Sequence, residues 1–442
     1  MKVLNELLRW MPGPLVVLSL YFCCGSCVAD DGVVLLSGAT VTGSVSVSGD
    51  KVTVETTSGS RTITRNYPKS RLRSYTVEGV TYNARSGEVI TSGAAPAGTG
   101  DVTRSPREVV TLISGEGASP PDWINQVPFT IPRTLDLSWP QPPQGPWDSS
   151  RNIGQYIWDR VNPNPSRWRE GVILMHHVMQ NSSDPEVQKR AMRTLGGMYH
   201  NLHQDYPRSA YWLLQSGLEK ELRQYPQAGV QLADCYLKMG CRELAVDLLS
   251  RMTSKPYSAI KLLGDLGETQ QAIKLAEQFA RTGEASTSWL YAGDACRMAG
   301  RMQEAEYYYT LALEAAGNAK DADKPHRQRD KARAQASLDA VDFLRLTPTD
   351  VKDGTYTAVS RGYEGDVKVE AVVAEKRLVS VRVTEHREKQ FYSSITDTPA
   401  RILARQSVAG IDATTGATIT SEAIINATAK AMSKGLDESA EE

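Results

Sequence analysis

The chain of 442 residues carries almost no excess charge: 50 Lys and Arg stand against 51 Asp and Glu, for a net charge of -1 and a pI near 6.6. Phosphate backbones reward clustered cations, and no basic stripe stands out, so the composition argues against a nucleic-acid binder. Cysteine is scarce. Of six, Cys23, Cys24 and Cys27 lie near the start, and Cys235, Cys241 and Cys296 lie in helical sequence. Only Cys24 and Cys27 have CxxC spacing, in a segment expected to be removed, so no Cys-ligated metal is expected. His176, His177, His200 and His203 have no carboxylate-rich partner motif and read as scaffold histidines on helices. Long apolar runs are missing too. Residues 15–22 are too short to span a membrane comfortably, and Pro12-Gly13-Pro14 interrupts anything longer.

What is present divides the chain into segments, and its length leaves room for roughly two to four domains. Residues 1–29 read as an export signal, with Lys2 and Arg9 in the n-region, a short apolar run over Leu15 to Phe22 after them, and Gly25-Ser26 before Cys27. A lipoprotein form cleaved at Cys27, cleavage after Ala29 and an uncleaved anchor all remain open. Each places the remainder outside the cytoplasm, in the periplasm or on a membrane. Residues 30–93 alternate Val and Thr or Ser, with turns at Ser48-Gly49-Asp50 and Ser58-Gly59-Ser60. That predicts a small all-β antiparallel meander, a packing or adhesion module without chemistry of its own. Residues 94–165 begin with a flexible linker through Gly100 and continue into a Pro/Trp-rich stretch. Trp123, Trp139, Trp147 and Trp158 there predict an extended segment packed over a neighbouring domain, with an aromatic ligand groove as the alternative.

Residues 166–346 read as helical and repetitive. Trp289, Gly293, Gly300, Ala305, Tyr309 and Ala312 match a tetratricopeptide pattern, and Ala233, Tyr236, Gly240, Ala245 and Leu249 repeat its logic. Gly267, Ala272 and Ala276 mark a shortened unit, and Leu195-Gly196 with Tyr199 an earlier one. The prediction is an irregular α-helical solenoid of roughly four hairpins with buried thiols. Residues 321–330 read as charged and solvated, before a last helix over 332–346 that stops at Pro348.

The C-terminal part predicts α+β structure. Val367, Val369, Ala371 and Val373 alternate with Lys368, Glu370 and Val372, a charged turn follows at Glu375-Lys376-Arg377, and Val379, Val381 and Val383 alternate again. Helices are expected over 396–406 and 422–434. In the second, Ile424, Ala427, Thr428 and Ala431 form one buried face, Thr420 or Ser421 caps the start, and Gly435 ends it. Just before it, Asp412-Ala413-Thr414-Thr415-Gly416-Ala417-Thr418-Ile419-Thr420-Ser421 presents hydroxyls around two small residues at a helix N-terminus, a geometry suited to phosphate.

Residues 412–421 resemble the flavinylation motif of the covalent FMN-binding domain family, Asp-x-x-(Ser/Thr)-Gly-Ala-(Ser/Thr). Members include the C subunit of the sodium-pumping NADH:quinone reductase and the G subunit of the Rnf complex. Upstream, Asp353-Gly354-Thr355-Tyr356, Gly362-Tyr363-Glu364-Gly365, Glu385-His386-Arg387-Glu388, Ile402 and Gln406-Ser407 follow the family's landmarks in order. The resemblance implies an FMN-binding domain over 349–435, followed by an acidic tail over 436–442. It implies FMN in phosphoester linkage to Thr418, donated from FAD by an FMN transferase, with Asp412, Thr415, Gly416, Ala417, Thr420 and Ser421 forming the loop. Small Gly416 and Ala417 let the backbone enter the transferase cleft, and Asp412 is a candidate for positioning metal or loop there. His386 and Glu388 resemble positions near the flavin, and Tyr363 or Tyr392 is placed to stack on it. One departure limits the carry-over: Lys389-Gln390-Phe391-Tyr392 stands where the pumps have Thr-Pro-Gly-Leu-Gly, so ion pumping is not implied.

No nucleophile and base pair or substrate-specific constellation accompanies these residues, so no catalytic residue is assigned. The expectation is an exported, membrane-associated electron-transfer flavoprotein whose helical repeats dock redox partner proteins. A non-catalytic scaffold with a redox-sensing or vestigial flavin domain is the alternative, and a flavin-dependent reductase of a terminal acceptor a third reading.

Overall fold

The computed structural model describes residues 32–35, 40–58, 61–77, 80–84, 89–90, 103–388, 393–413 and 417–436. The expected signal segment with Cys23, Cys24 and Cys27, the linker through Gly100, residues 389–392 with Tyr392, the loop residues Thr414, Thr415 and Gly416, and the acidic tail beyond Leu436 lie outside them. The chain forms two compact units, Met1–Ala94 and Ala95–Glu442. Among the described residues no helix is long and apolar enough to cross a membrane.

The first unit is antiparallel throughout its described strands: β1 (Gly32–Leu35), β2 (Thr40–Thr42), β3 (Ser44–Ser48), β4 (Lys51–Ser58), β5 (Arg61–Pro68), β6 (Leu72–Val77), β7 (Val80–Asn83) and β8 (Val89–Ile90). The expected meander is present as the sheet β3-β4-β5, with Gly49 at φ +58° in the first turn. A second sheet, ordered β2-β1-β6-β7-β8, departs from a simple meander because β1 pairs with β6. Val33, Val52, Val54 and Leu72 are fully buried in its small core.

The second unit opens with α1 (Pro106–Leu112), whose Ser105 and Glu108 make reciprocal capping bonds. A mostly irregular stretch leads to α2 (Ile153–Tyr156). It packs over the helices as expected: Trp139 is buried under the Arg190 guanidinium, and Trp123 stacks on His203. Helices follow in close succession, α3 (Trp168–Asn181), α4 (Pro185–Met198), α5 (Tyr206–Gln215), α6 (Pro226–Lys238), α7 (Arg242–Arg251), α8 (Ser258–Asp265), α9 (Thr269–Phe279), α10 (Ala285–Met298), α11 (Met302–Asn318) and α12 (Pro325–Val341).

Three of the turns share one construction. Gly240, Gly267 and Gly300 sit at φ +86°, +75° and +72°. In each, the N–H after the glycine reaches back to a carbonyl five residues earlier: Cys241 to Tyr236 at 2.9 Å, Glu268 to Leu263 at 2.8 Å, Arg301 to Cys296 at 2.9 Å. This is the Schellman cap, in which a left-handed residue closes the last turn without a Cβ penalty. Small residues mark close approaches, since a Cβ on Gly293 would lie 2.4 Å from the Tyr309 ring. Cys235, Cys241 and Cys296 are buried free thiols.

One expectation fails here. Residues 321–330 are not simply a solvated charged run: α12 starts at Pro325, and Arg327 and Asp330 are buried. Arg327 donates to Ser286 Oγ at 3.0 Å and Asp330 accepts from Ser286 at 2.6 Å, so the charges are satisfied by packing on α10.

The C-terminal α+β layer has an antiparallel sheet ordered β11-β10-β9, from β9 (Gly354–Arg361), β10 (Asp366–Ala374) and β11 (Arg377–Glu385). Helices α13 (Ser393–Arg405) and α14 (Thr418–Ser433) complete it. Val367, Val369, Ala371 and Val373 face the core as the alternation predicts. Strand β11 does not hold that phase: a bulge after Val372 pairs Val373 with Leu378, so Leu378 is buried and Val379 is 56 % exposed. The turn has Glu375 and Lys376 both left-handed, and their N–H groups donate to the Asp353 carboxylate at 2.8 and 3.2 Å. Helix α14 is buried on nearly every side, not on one face, because the sheet, α12 and α13 surround it.

Candidate functional site

Helix α14 begins four residues before the predicted start, at Thr418, with Ala417 at its N-cap and no side-chain cap. Thr420 and Ser421 therefore sit inside the first turn. Thr420 donates its hydroxyl to Glu388, and Ser421 accepts from Thr398 at 3.1 Å. Buried hydroxyls need partners, and these find side chains in place of the free backbone amides of a cap. The first intrahelical bond runs from Ser421 N–H to Ala417 C=O at 2.9 Å, which leaves the amides of Thr418, Ile419 and Thr420 at a helix N-terminus. Gly435 also acts differently from a left-handed stop. Its Cβ would lie 2.4 Å from the Tyr356 ring, so the position is small to admit that ring.

The upstream landmarks have structural work of their own. Glu388, 2 % exposed, accepts from Glu364 N–H at 3.0 Å as well as from Thr420, and so ties the β9–β10 turn to α14. A Cβ on Gly362 would approach that carboxylate to 2.6 Å. Gln406, left-handed at φ +56°, pairs its side-chain amide with both backbone groups of Leu378 at 2.9 Å. It extends the sheet edge where the bulge has displaced β11.

Asp412 is gripped by the helical part of the same unit. Lys238 on α6 and Lys261 on α8 both pair with it, Lys261 at 2.8 Å, while Arg401 of α13 lies 4.0 Å away. Burial opposes its ionisation, yet these three cations hold the carboxyl well below the usual carboxylate range. Asp265 shares Lys261. Burial and the charge of Asp412 push it up to about 7. Beside them His200 Nε2 and Asp234 Oδ2 are 2.8 Å apart and both buried. A second bridge joins Arg333 of α12 to Glu422 at 2.8 Å, and Arg297 donates to the Ile411 carbonyl at 3.3 Å. Burial raises the Asp294 carboxyl, and neighbouring Glu422 raises it further, while Tyr309 donates to it at 2.8 Å. Ile411 and Asp412 are thus held by charged side chains of α6, α8 and α10, and Glu422 within α14 by one of α12.

Between these elements lies a cleft of about 380 Å³. The C-terminal layer supplies Tyr363, Glu388 and residues 417–420, with Thr418 half-buried. The facing wall is helical: His200 and Asn201 after α4, Gln227, Gln231 and Asp234 on α6, Lys261 and Asp265 on α8, and Tyr291 on α10. Trp158, 48 % exposed, closes another side. The volume falls in the range of small-molecule and cofactor sites, and flat aromatic groups with a few amides suit a planar heterocycle. Asp234 Oδ1, buried in that wall, has no hydrogen-bond partner among the described residues. The residues present therefore fit a planar nucleotide cofactor, and the amides at the start of α14 would suit its phosphate.

Of the expected site residues, Ala417, Thr418, Thr420 and Glu388 come together in this cleft. Asp412 and Ser421 stand behind it, one clamped to lysines and the other packed on Thr398. His386 is exposed and is not in the lining, while Thr415 and Gly416 lie outside the described residues. Sequence reasoning missed Asn201, Gln227, Gln231, Lys261 and Tyr291. Their types are ordinary for helix surfaces, and only tertiary packing brings them opposite Thr418. Trp158 was visible as an unplaced aromatic. Among the described residues no group of His, Cys, Asp and Glu is arranged to hold a metal ion.

Residues 362–433 match the family described as FMN-binding domain. The match begins at Gly362, after β9 and the Asp353 landmark. An uncharacterized protein of Treponema pallidum (strain Nichols) is 32 % identical over 90 residues, 20 % of this chain and 25 % of that protein. The aligned stretch thus spans about a quarter of that relative. Within the C-terminal layer, residues 362–433 thus match an FMN-binding domain.

Proposed function

We propose that the chain holds FMN covalently, as a phosphoester on Thr418, and relays electrons between partner redox proteins. The observation that carries this reading is the position of Thr418: the first residue of α14, half-buried, in a cleft lined by aromatic and amide side chains. The matched family and the Asp412-x-x-Thr415-Gly416-Ala417-Thr418 pattern support it. In the attachment step a bond forms between Thr418 Oγ and the FMN phosphorus of FAD, and the pyrophosphate bond breaks. AMP leaves, and the hydroxyl proton passes to a base of the FMN transferase. When bound, FMN supplies one- and two-electron chemistry. The protein's part is to orient the ring, exclude water and hold the segments beside Thr418; the Asp412 clamp and the Glu388–Thr420 bond serve the last of these.

The helical hairpins are tetratricopeptide-like in this reading, supported by the glycine cap at Gly240, Gly267 and Gly300, and they dock the redox partner, since such solenoids present extended concave surfaces. Export follows from the character of residues 1–29 and agrees with modification outside the cytoplasm, on a membrane-anchored or periplasmic chain.

The test is an anaerobic redox titration of the full chain coexpressed with an FMN transferase in an exporting host, after exhaustive dialysis under denaturing conditions and refolding. Reversible bleaching of retained flavin absorbance is expected, and none in Thr418→Ala. Retained flavin that cannot be reduced and reoxidised would leave a scaffold and sink the relay.

A further inference from the structure

The FMN-binding match covers residues 362–433, yet most of the cleft that Thr418 enters is built by other parts of the chain. A helix N-terminus can hold a phosphate, but a flavin ring also needs flat apolar faces and hydrogen-bonding groups along its polar edge. Few such groups in the lining belong to the matched segment. The helical wall has them: Tyr291, already stacked on Tyr257 with rings 6.2 Å apart and 13° from parallel, the amides of Gln227 and Gln231 one helical turn apart on α6, and Trp158 from the Pro/Trp-rich stretch. Tyr363, the aromatic of the matched segment in the lining, has the Arg329 guanidinium of α12 4.1 Å from its ring centroid, so even this side chain is set by a helix outside the match.

The two walls are also fixed to one another. Lys238 and Lys261 grip Asp412, Arg333 grips Glu422, Asn426 donates to Ser337 at 3.3 Å, and Ser393 donates to the Asn201 carbonyl at 3.3 Å. Several of these groups are buried, where removing a partner is expensive, so the cleft is a standing feature and not a chance approach of two bodies.

We propose that this helical wall is a binding site for the isoalloxazine ring: Trp158 and Tyr291 face it, and Gln227 and Gln231 bond its polar edge. The site rests on the reading that FMN is carried by Thr418. The helical repeats then have a cofactor-binding role in addition to any docking role. The ring is held by a surface remote in sequence from the residue that anchors its phosphate.

The experiment uses the full chain, coexpressed with an FMN transferase, as wild type and as Trp158→Leu, Tyr291→Leu and Gln231→Leu. Flavin fluorescence on a denaturing gel first establishes the covalent load of each. Native flavin emission, visible circular dichroism and quenching by iodide are then measured on equally loaded protein. Tryptophan and tyrosine next to a flavin quench its emission, so the wild type is expected to be dim, with a structured dichroism band and weak iodide quenching. Trp158→Leu and Tyr291→Leu are expected to be several-fold brighter, and Gln231→Leu to shift the dichroism band with little change in emission. Trp158 is half-exposed, so its variant keeps the fold even where Tyr291→Leu does not. Equal loading with wild-type emission, dichroism and iodide access in all three overturns the ring site while leaving the Thr418 reading intact. No covalent flavin in the wild type, with a control substrate labelled in the same cells, overturns both.

Discussion

His203 illustrates how a side chain outside the cleft lining can carry a pH dependence. It lies in the aromatic packing of Trp123, Trp168 and Tyr199, and burial pulls its pKa down to about 4. The unfolded imidazole titrates near its ordinary value, so between that value and about 4 the unfolded chain binds a proton that the folded one refuses. The contribution is fully present above the unfolded pKa and is lost as pH falls toward 4, on the order of 3 kcal/mol in total. His203→Phe removes the titrating group and keeps an aromatic ring. Its melting temperature is expected to fall less steeply than that of the wild type between pH 6.5 and 4; parallel curves would contradict the assignment. At this scale the sequence was informative about type and silent about partners. The histidines were read as scaffold, as His203 is, but the placement of His200 against Asp234 beside the cleft depends on two helices meeting. Likewise Glu388 was noticed for a flavin role, and its visible task is to bridge Thr420 and Glu364.

At the scale of elements, the glycine-capped hairpins were the most legible feature, because a left-handed residue after an apolar helix leaves a local mark. Gly267 offers a clean measurement: its φ is +75° and nothing lies within 4 Å of where a Cβ would stand. Gly267→Ala therefore reports backbone strain without a steric term, and a loss of about 1–2 kcal/mol in urea unfolding is expected. A neutral result would mean the turn relaxes. The start of α14 was less legible. Thr418, Ile419, Thr420 and Ser421 look like loop and cap residues by type, and only their side-chain partners across the domain let the helix begin at Thr418. Strand β11 shows the same limit, since a bulge changes which residues face inward without altering the alternation of the sequence.

Across the whole molecule, the sequence divided repeats and FMN-binding domain at Pro348, whereas the second compact unit contains both. Nothing local announces such a union. Lys238, Lys261 and Asp412 are separated by long stretches of chain and look like surface charges until folded. Their burial gives a prediction with an internal control. Asp412→Ala leaves two lysines with 3 % and 11 % exposed side chains short of a partner and is expected to destabilise the unit by roughly 3 kcal/mol. Glu385→Ala breaks the exposed pair with Lys368 and is expected to cost less than about 1 kcal/mol. Equal effects in urea unfolding would mean the clamp is not what joins the helices to the loop.

The most direct measurement of the central claim is peptide mass analysis of the full chain coexpressed with an FMN transferase in an exporting host. An FMN adduct on the peptide containing Thr418, absent in Thr418→Ala, is the predicted result. An unmodified Thr418 peptide, with a control substrate labelled in the same cells, would contradict it.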